Sequence, residues 1–184
     1  LVYRAINRLD RDTTGLLVIA KHLLAGCILS DQMLNRQIHR QYRAIVCGKT
    51  EKEGIIDAPI GRTEDSTVLR RIDFEHGETA RTRYRLLSYD EEKDLSYISL
   101  KLDTGRTHQI RVHMASTGHP LLGDTLYHSD DKISSCASFS RAALHAWKVS
   151  FQHPFRDEML LLEAPLPFDF RELVSLSGSD LLSI

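Results

Sequence analysis

Three segments of this 184-residue chain carry side chains that can do chemistry. The first is Arg8-Leu9-Asp10-Arg11-Asp12-Thr13-Thr14-Gly15, two carboxylates two residues apart, flanked by guanidinium groups. A carboxylate acts as a nucleophile or a general base, and a nearby arginine keeps it ionised. Arg111 is a candidate for that distant arginine, while the same loop also suits a local salt-bridged turn. The second segment is Arg106-Thr107-His108-Gln109-Ile110-Arg111-Val112-His113, with His119 beyond it. His108 and His113 are five residues apart, off the i,i+4 spacing of a helical metal pair, and neither HExxH nor HxE with CxxC occurs. Hydrogen-bonding histidines at helix ends account for them better than a metal. The third is Asn35 to Arg43, where Tyr42 stands near Arg40 and Arg43 and either stacks a base among phosphate-binding charges or fills a core. No P-loop, dinucleotide glycine fingerprint or GxSxG elbow is present, which argues against nucleotide hydrolysis, hydride transfer and esterase chemistry.

These side chains need a scaffold. Thr14 to Ala20 is a short apolar run that predicts a central strand buried on both faces, making residues 8–13 a loop that feeds it. From Lys21 to Ile38 the apolar residues recur at helical spacing, and Tyr42 to Cys47 reads as a strand stopped by Gly48. Residues 49–80 suggest short strands, such as Thr67 to Phe74, between exposed turns. Thr82 to Tyr89 and Leu95 to Leu102 form a hairpin around an acidic turn. Thr107 is the expected N-cap of a short helix over 108–117, closed by Gly118 and His119-Pro120. After a polar loop at 129–140, Ala143 to Phe151 and Glu158 to Leu162 read as two more strands, and the tail from Val174 gives no clear signal. Helices, hairpins and few alternating βα units predict an α+β domain with a mixed, largely antiparallel sheet.

Composition bounds the class of protein. With 42% hydrophobic and 27% charged residues the chain suits one soluble domain, and no run of roughly 18 apolar residues suggests a membrane span. Lysine plus arginine (24) nearly balances aspartate plus glutamate (25), so any nucleic-acid site must come from local clustering. Cys27, Cys47 and Cys136 fall outside any CxxC pair and read as thiols of a reducing, cytoplasmic compartment. The candidate loop starts so near the first residue that the chain reads as a fragment of a longer protein.

Together the segments resemble the RluA-like family of RNA pseudouridine synthases. Asn7-Arg8-Leu9-Asp10-Arg11-Asp12-Thr13-Thr14-Gly15-Leu16-Leu17 is similar to that family's His-Arg-Leu-Asp loop and the strand after it, and Gln41-Tyr42-Arg43-Ala44-Ile45-Val46-Cys47-Gly48 to its tyrosine motif. Residues 104–124, with Gly-Arg-Thr-His-Gln-Ile-Arg-Val-His-Met and Gly-His-Pro-Leu-Leu-Gly-Asp, resemble its third motif; Leu144-His145-Ala146 and His153-Pro154 resemble the next strand and turn. The resemblance implies the pseudouridine synthase fold over residues 1–184 as a catalytic domain without an S4-type RNA-binding domain. It implies an isomerase, formally an intramolecular transferase, that converts uridine in structured RNA to pseudouridine. Asp10 is then the essential carboxylate, Tyr42 stacks on the target base, and Arg111 pairs with Asp10. Arg8 helps displace the target nucleotide, Leu144 lies on the other side of the base, and Arg106 and His108 complete the substrate-binding set. The resemblance further implies no cofactor, no metal and no membrane, a monomer in the cytoplasm, and ribosomal RNA ahead of transfer RNA as substrate. Position 7 departs from the pattern, with Asn7 where the family usually has histidine. An RNA-binding module without turnover and a metal-dependent RNA hydrolase using the histidines stand as competing readings.

Overall fold

Alternating apolar residues along the strands build the frame. The computed structural model describes residues 3–64, 66–128 and 139–174. Its elements are β1 (Arg4–Ala5), β2 (Thr14–Gly15), β3 (Ile19–Ala20), α1 (Leu23–Leu34), β4 (His39–Cys47), β5 (Glu53–Asp57), β6 (Ile60–Arg62) and β7 (Arg70–Ile72), followed by β8 (Arg81–Asp90), β9 (Leu95–Leu102), α2 (Gln109–Ser116), β10 (Leu144–Gln152), β11 (Met159–Glu163) and α3 (Phe168–Leu173). The main sheet runs β11-β10-β4-β9-β8-β5, antiparallel throughout, and β2 joins β10 in parallel. The α+β class and the hairpin of β8 and β9 match the sequence expectation.

On β4 and its neighbours the even positions face one way and the odd positions the other. Tyr42, Ala44 and Val46 pack with Ile98, Leu100, Leu144 and, from α2, Ile110 and Met114. Ile45 on the opposite face packs with Leu95, Tyr97, Leu122, Ala143 and Phe170, the last from α3. Both faces are covered, so residues 42–46 are buried without a break. That is the pattern expected of a central strand, and it belongs to β4.

The apolar run at 14–20 behaves differently. It splits into β2 and β3, with Leu17 and Ile19 exposed, so the central strand read there is corrected. Strand β10 pairs with β4 along one edge; its other edge is taken by β11 at Lys148–Gln152, leaving only His145–Ala146 for β2. The helix is shorter than Lys21 to Ile38, because Asn35 caps it and Arg36 turns left-handed (φ 59°), and Ile38 joins the core beside Val149 and Phe151. Its buried face is Ala25, Gly26, Leu29 and Gln32, whereas Leu23, Leu24 and Leu34 point outward. Small residues permit the close approach to β1 and β3, where a Cβ on Gly26 would come within 3.1 Å of the Arg4 stem.

Of the strand expected at Thr67 to Phe74, only β7 forms, paired with β6. The helix α3 follows no periodic signal strong enough to predict it. Cys136, most of the loop at 129–140 and all but the first residue of the tail from Val174 lie outside the described residues. No helix among the described residues is long and apolar enough to cross a membrane.

Candidate active site

The Asp10 loop is fixed at both ends by hydrogen bonds. At its base the Asn7 side-chain oxygen accepts from the Val18 N–H at 2.8 Å, so the residue that departs from the family pattern ties the two sides of the loop together. At its tip the Thr13 N–H donates to the Asp10 carbonyl at 3.0 Å, and Asp12 takes the left-handed conformation (φ 73°) that aspartate tolerates better than most residues. Beyond it the Thr14 hydroxyl bonds the His145 ring at 2.8 Å. Gly15 sits at φ 110°, where a Cβ would meet the Ala146 carbonyl oxygen at 2.2 Å, so only glycine allows β2 to reach β10. Asp12 is exposed and acts through its backbone shape, which separates its part from that of Asp10.

Asp10 lines a cavity of about 150 Å³ together with Arg8, Thr13, Arg40, Tyr42, Arg106 and Leu144. Three guanidinium groups and one carboxylate give this wall a net positive charge. Among the described residues the Asp10 carboxylate makes no hydrogen bond and no ion pair, so it is available to a ligand. Its charge reaches three neighbours: it raises the pKa of Tyr42, and it acts on His108 and Arg111 as well.

Tyr42 is 5% exposed. Burial pushes its phenol up, Arg40 pulls against that rise, and Asp10 adds to it. Cross-strand pairing sets Tyr42 beside Ala146 on β10, with Leu144 one pleat along, so ring and leucine share the cavity wall. Arg43, the other basic neighbour of Tyr42, faces the opposite side of the sheet and stacks on Trp147, 3.7 Å from its ring centroid. Only Arg40 of that basic cluster serves the cavity.

The segment between β9 and α2 forms the far wall, and Gln109 organises it. Its oxygen accepts from the Thr104 hydroxyl (2.8 Å) and the Arg106 N–H (2.9 Å), while its amide donates to the Arg81 carbonyl and the Thr82 hydroxyl, both at 3.0 Å. Arg106 is held by Glu78 and by the Thr79 carbonyl. The N-cap of α2 is His108 in place of Thr107; it is left-handed (φ 56°, ψ 20°) and makes no capping bond. Its ring turns away from the cavity. The Tyr127 hydroxyl accepts from the Arg70 N–H at 3.0 Å and shares a hydrogen bond with His108 Nδ1 at 2.7 Å. Burial pushes the His108 pKa down despite Asp10 nearby. The neighbouring histidines are engaged too: His113 with Thr82 and the Ala58 carbonyl, His119 with the Cys47 carbonyl. Among the described residues no three His, Cys, Asp or Glu side chains converge as a metal site would need.

Arg111 corrects the sequence reading most directly. Its guanidinium forms a bidentate pair with Asp124, at 2.7 and 2.6 Å, and no ion pair with Asp10. Both partners are buried, with side chains 7% and 0% exposed. Burial works against the charge on Arg111, and the bond to Asp124, with the field of Asp10 behind it, more than offsets this and raises its pKa. The cation on which the Asp10 charge acts is therefore held in place by another carboxylate. Asp124 and Tyr127 escaped the sequence argument as partners because nothing in their spacing ties them to Arg111. The only available signal was their place in and just after the Gly-His-Pro-Leu-Leu-Gly-Asp run.

Comparison with known proteins gives the family of the chain. The family model described as RNA pseudouridylate synthase matches residues 2–116. The chain is 45% identical over 171 residues to an uncharacterised RNA pseudouridine synthase, YhcT, of Bacillus subtilis, covering 92% of this chain and 55% of the relative. It is 45% identical over 173 residues to ribosomal large subunit pseudouridine synthase D of Nitrosomonas europaea, covering 92% and 49%. The chain thus spans about half the length of the curated relatives it matches. Among solved structures, human RNA pseudouridylate synthase domain containing 1 superposes with a TM-score of 0.78 at 29% identity, over 91% of this chain and 70% of that one.

Proposed function

Because the chain belongs to the RNA pseudouridylate synthase family, in its RluA-like branch, we propose that it isomerises uridine to pseudouridine in structured RNA with Asp10 as the reacting carboxylate. The observation that carries this is the Asp10 carboxylate, unpartnered among the described residues, in a cavity walled by Tyr42 and Leu144. At about 150 Å³ the cavity is smaller than the several hundred Å³ that drug-sized ligands occupy. It suits one heterocycle with the rest of the nucleotide outside.

The reaction breaks the bond from ribose C1′ to uracil N1, forms one from C1′ to C5, and moves the C5 proton to nitrogen. Nothing is oxidised or reduced overall. A base inside a stem must first be flipped out, at a cost of roughly a few kcal/mol in lost stacking. Arg8, exposed at the cavity mouth, holds the displaced strand, and Arg106 contributes positive charge to the phosphates beside it. Tyr42 and Leu144 sandwich the uracil and exclude water, so the detached ring is retained while it rotates. Asp10 acts at the sugar or the base as the glycosidic bond changes, in the field of the Arg111 cation. His108, bonded to Tyr127, supports the wall from behind.

Ribosomal RNA is the substrate we take first, since several relatives are named for the large ribosomal subunit, with transfer RNA as the comparison. We take the protein to act as a monomer on RNA in the cytoplasm. Transcripts tritiated at uridine C5 test the proposal: the protein should release tritium, and Asp10→Ala should release none while keeping its melting temperature. Tritium release by the Asp10→Ala protein refutes the assignment.

A further inference from the structure

Arg40 stands two residues before Tyr42 on β4, so both side chains leave the strand on the same face, and both line the cavity. The other two arginines there are accounted for. Arg106 is committed to Glu78 and the Thr79 carbonyl, and Arg8 is exposed at the mouth. Arg40 is half-buried, and its Nε is sealed from solvent with no partner at full hydrogen-bond geometry. A sealed guanidinium nitrogen without a bonded partner is unusual, because its desolvation is not offset by a hydrogen bond.

Two features hold it there. Gly105 has no side chain, and a Cβ at that position would come within 2.8 Å of Arg40 Nη2, so the glycine makes room for the guanidinium. The Tyr42 phenol lines the same cavity, and the Arg40 charge opposes the rise that burial and Asp10 give its pKa. The remaining charged groups around the phenol are Asp10 and Arg8 from the loop before β2 and Arg106 from the segment before α2. The strand neighbours of Tyr42, Leu100 on β9 and Ala146 on β10, are apolar, and Arg111 and His108 on the α2 side are bonded to Asp124 and Tyr127.

We propose that Arg40, seated over Gly105, is a positioning residue that fixes the rotation of the Tyr42 phenol and stabilises negative charge on its oxygen. This rests on the cavity being the uridine site. A phenol that lies against uracil near Asp10 is disfavoured from carrying charge by its own burial and by that carboxylate; Arg40 is the group that opposes both. The role requires a cationic donor beside the phenol, which lysine supplies in part and glutamine only without charge.

The test has two arms. In the first, a fluorinated tyrosine, whose more acidic phenol titrates within the stable range of the protein, replaces Tyr42, and its fluorine resonance is followed against pH without RNA. Arg40→Gln should move the midpoint upward, Arg40→Lys should restore part of the shift, and Gly105→Ala, which displaces the guanidinium, should move it upward as well. In the second, kcat and KM are measured on a transcript that the unmodified protein turns over. Arg40→Gln should lower kcat by roughly tenfold to a hundredfold, at or below the loss of one oriented donor, with KM little changed. An unmoved midpoint in Arg40→Gln overturns the proposal, as does a raised KM with kcat intact, which would make Arg40 an RNA-backbone contact. Should Arg40→Gln fail to fold, Arg40→Lys and Gly105→Ala carry the same comparison. The fluorine arm needs no turnover, so failure of the uridine reading and failure of the Arg40 proposal are told apart.

Discussion

Two carboxylates lie near Arg111, and the structure gives them opposite duties that substitution separates. Asp124 is bonded to the guanidinium through both oxygens, with side chains 0% and 7% exposed, and Asp124 Oδ1 also accepts from the Leu126 N–H at 3.0 Å. Removing one partner of a buried pair leaves an uncompensated charge and costs about 3–5 kcal/mol. For a chain of this size that corresponds to a fall of roughly 6–20 °C in melting temperature. Asp124→Asn keeps an acceptor for Leu126, so Asp124→Ala should be worse by about 1 kcal/mol, the worth of one hydrogen bond. The double substitution Arg111→Met with Asp124→Leu removes both charges and should recover much of the loss, because buried pairs add little over well-packed apolar side chains. Asp10→Ala removes a carboxylate with no bonded partner and should shift the melting temperature by no more than about 2 °C, the scale of an ordinary surface change. Thermal and urea unfolding of the four proteins is the assay. If Asp10→Ala proved as destabilising as Asp124→Asn, Arg111 would be paired with Asp10 and the geometry described above would be wrong.

Other outcomes follow from the same contacts. Gly15→Ala should cost several kcal/mol and abolish uridine conversion, since its Cβ cannot share space with the Ala146 carbonyl; near-normal urea midpoints would show that β2 can leave β10 at no cost. Asn7→Ala should lose about 1–3 kcal/mol by stranding the Val18 N–H, read as a lowered urea midpoint. Burial pushes His108, His113 and His145 down, so below about pH 6.5 the unfolded chain binds protons that the folded one refuses. Stability from these groups is complete above that pH and is lost as pH falls through it. The melting temperature should drop between pH 7.5 and 5, and a flat or rising profile would contradict their neutral burial. The carboxylates of Asp73 and Asp90, whose pKa values are lowered by hydrogen bonds, lose their contribution only at more acid pH, so the two effects separate.

Local pattern carried much of this protein. The β8–β9 hairpin was legible because its alternation and acidic turn are properties of adjacent residues. The strand holding Tyr42 was legible for the same reason, as were the short helix after Arg106 and the loop of Asp10. Tertiary context overruled pattern where an apolar run had two possible uses. Residues 14–20 look like a central strand, yet β11 occupies most of the free edge of β10 and leaves the run two residues of pairing. In α1 Leu23, Leu24 and Leu34 face out, while Ala25 and Gly26 fit the narrow space beside β1 and β3 and Leu29 joins the core.

The candidate site divides the same way. By itself the sequence determined which residue types were present in which segments: a carboxylate in a polar loop, a tyrosine on a strand, arginines around both. The strand read from Tyr42 begins earlier in the structure, at His39, and that extension puts Arg40 on the face of Tyr42. Only the tertiary structure decided that Arg43 turns to Trp147, that His108 bonds Tyr127, and that Arg111 belongs to Asp124 rather than Asp10. Charge pairing in a folded chain depends on distances of a few ångströms and on burial. Asp124 wins because it sits, fully sealed, at hydrogen-bond distance from the guanidinium, and that leaves the Asp10 carboxylate unbonded in the cavity.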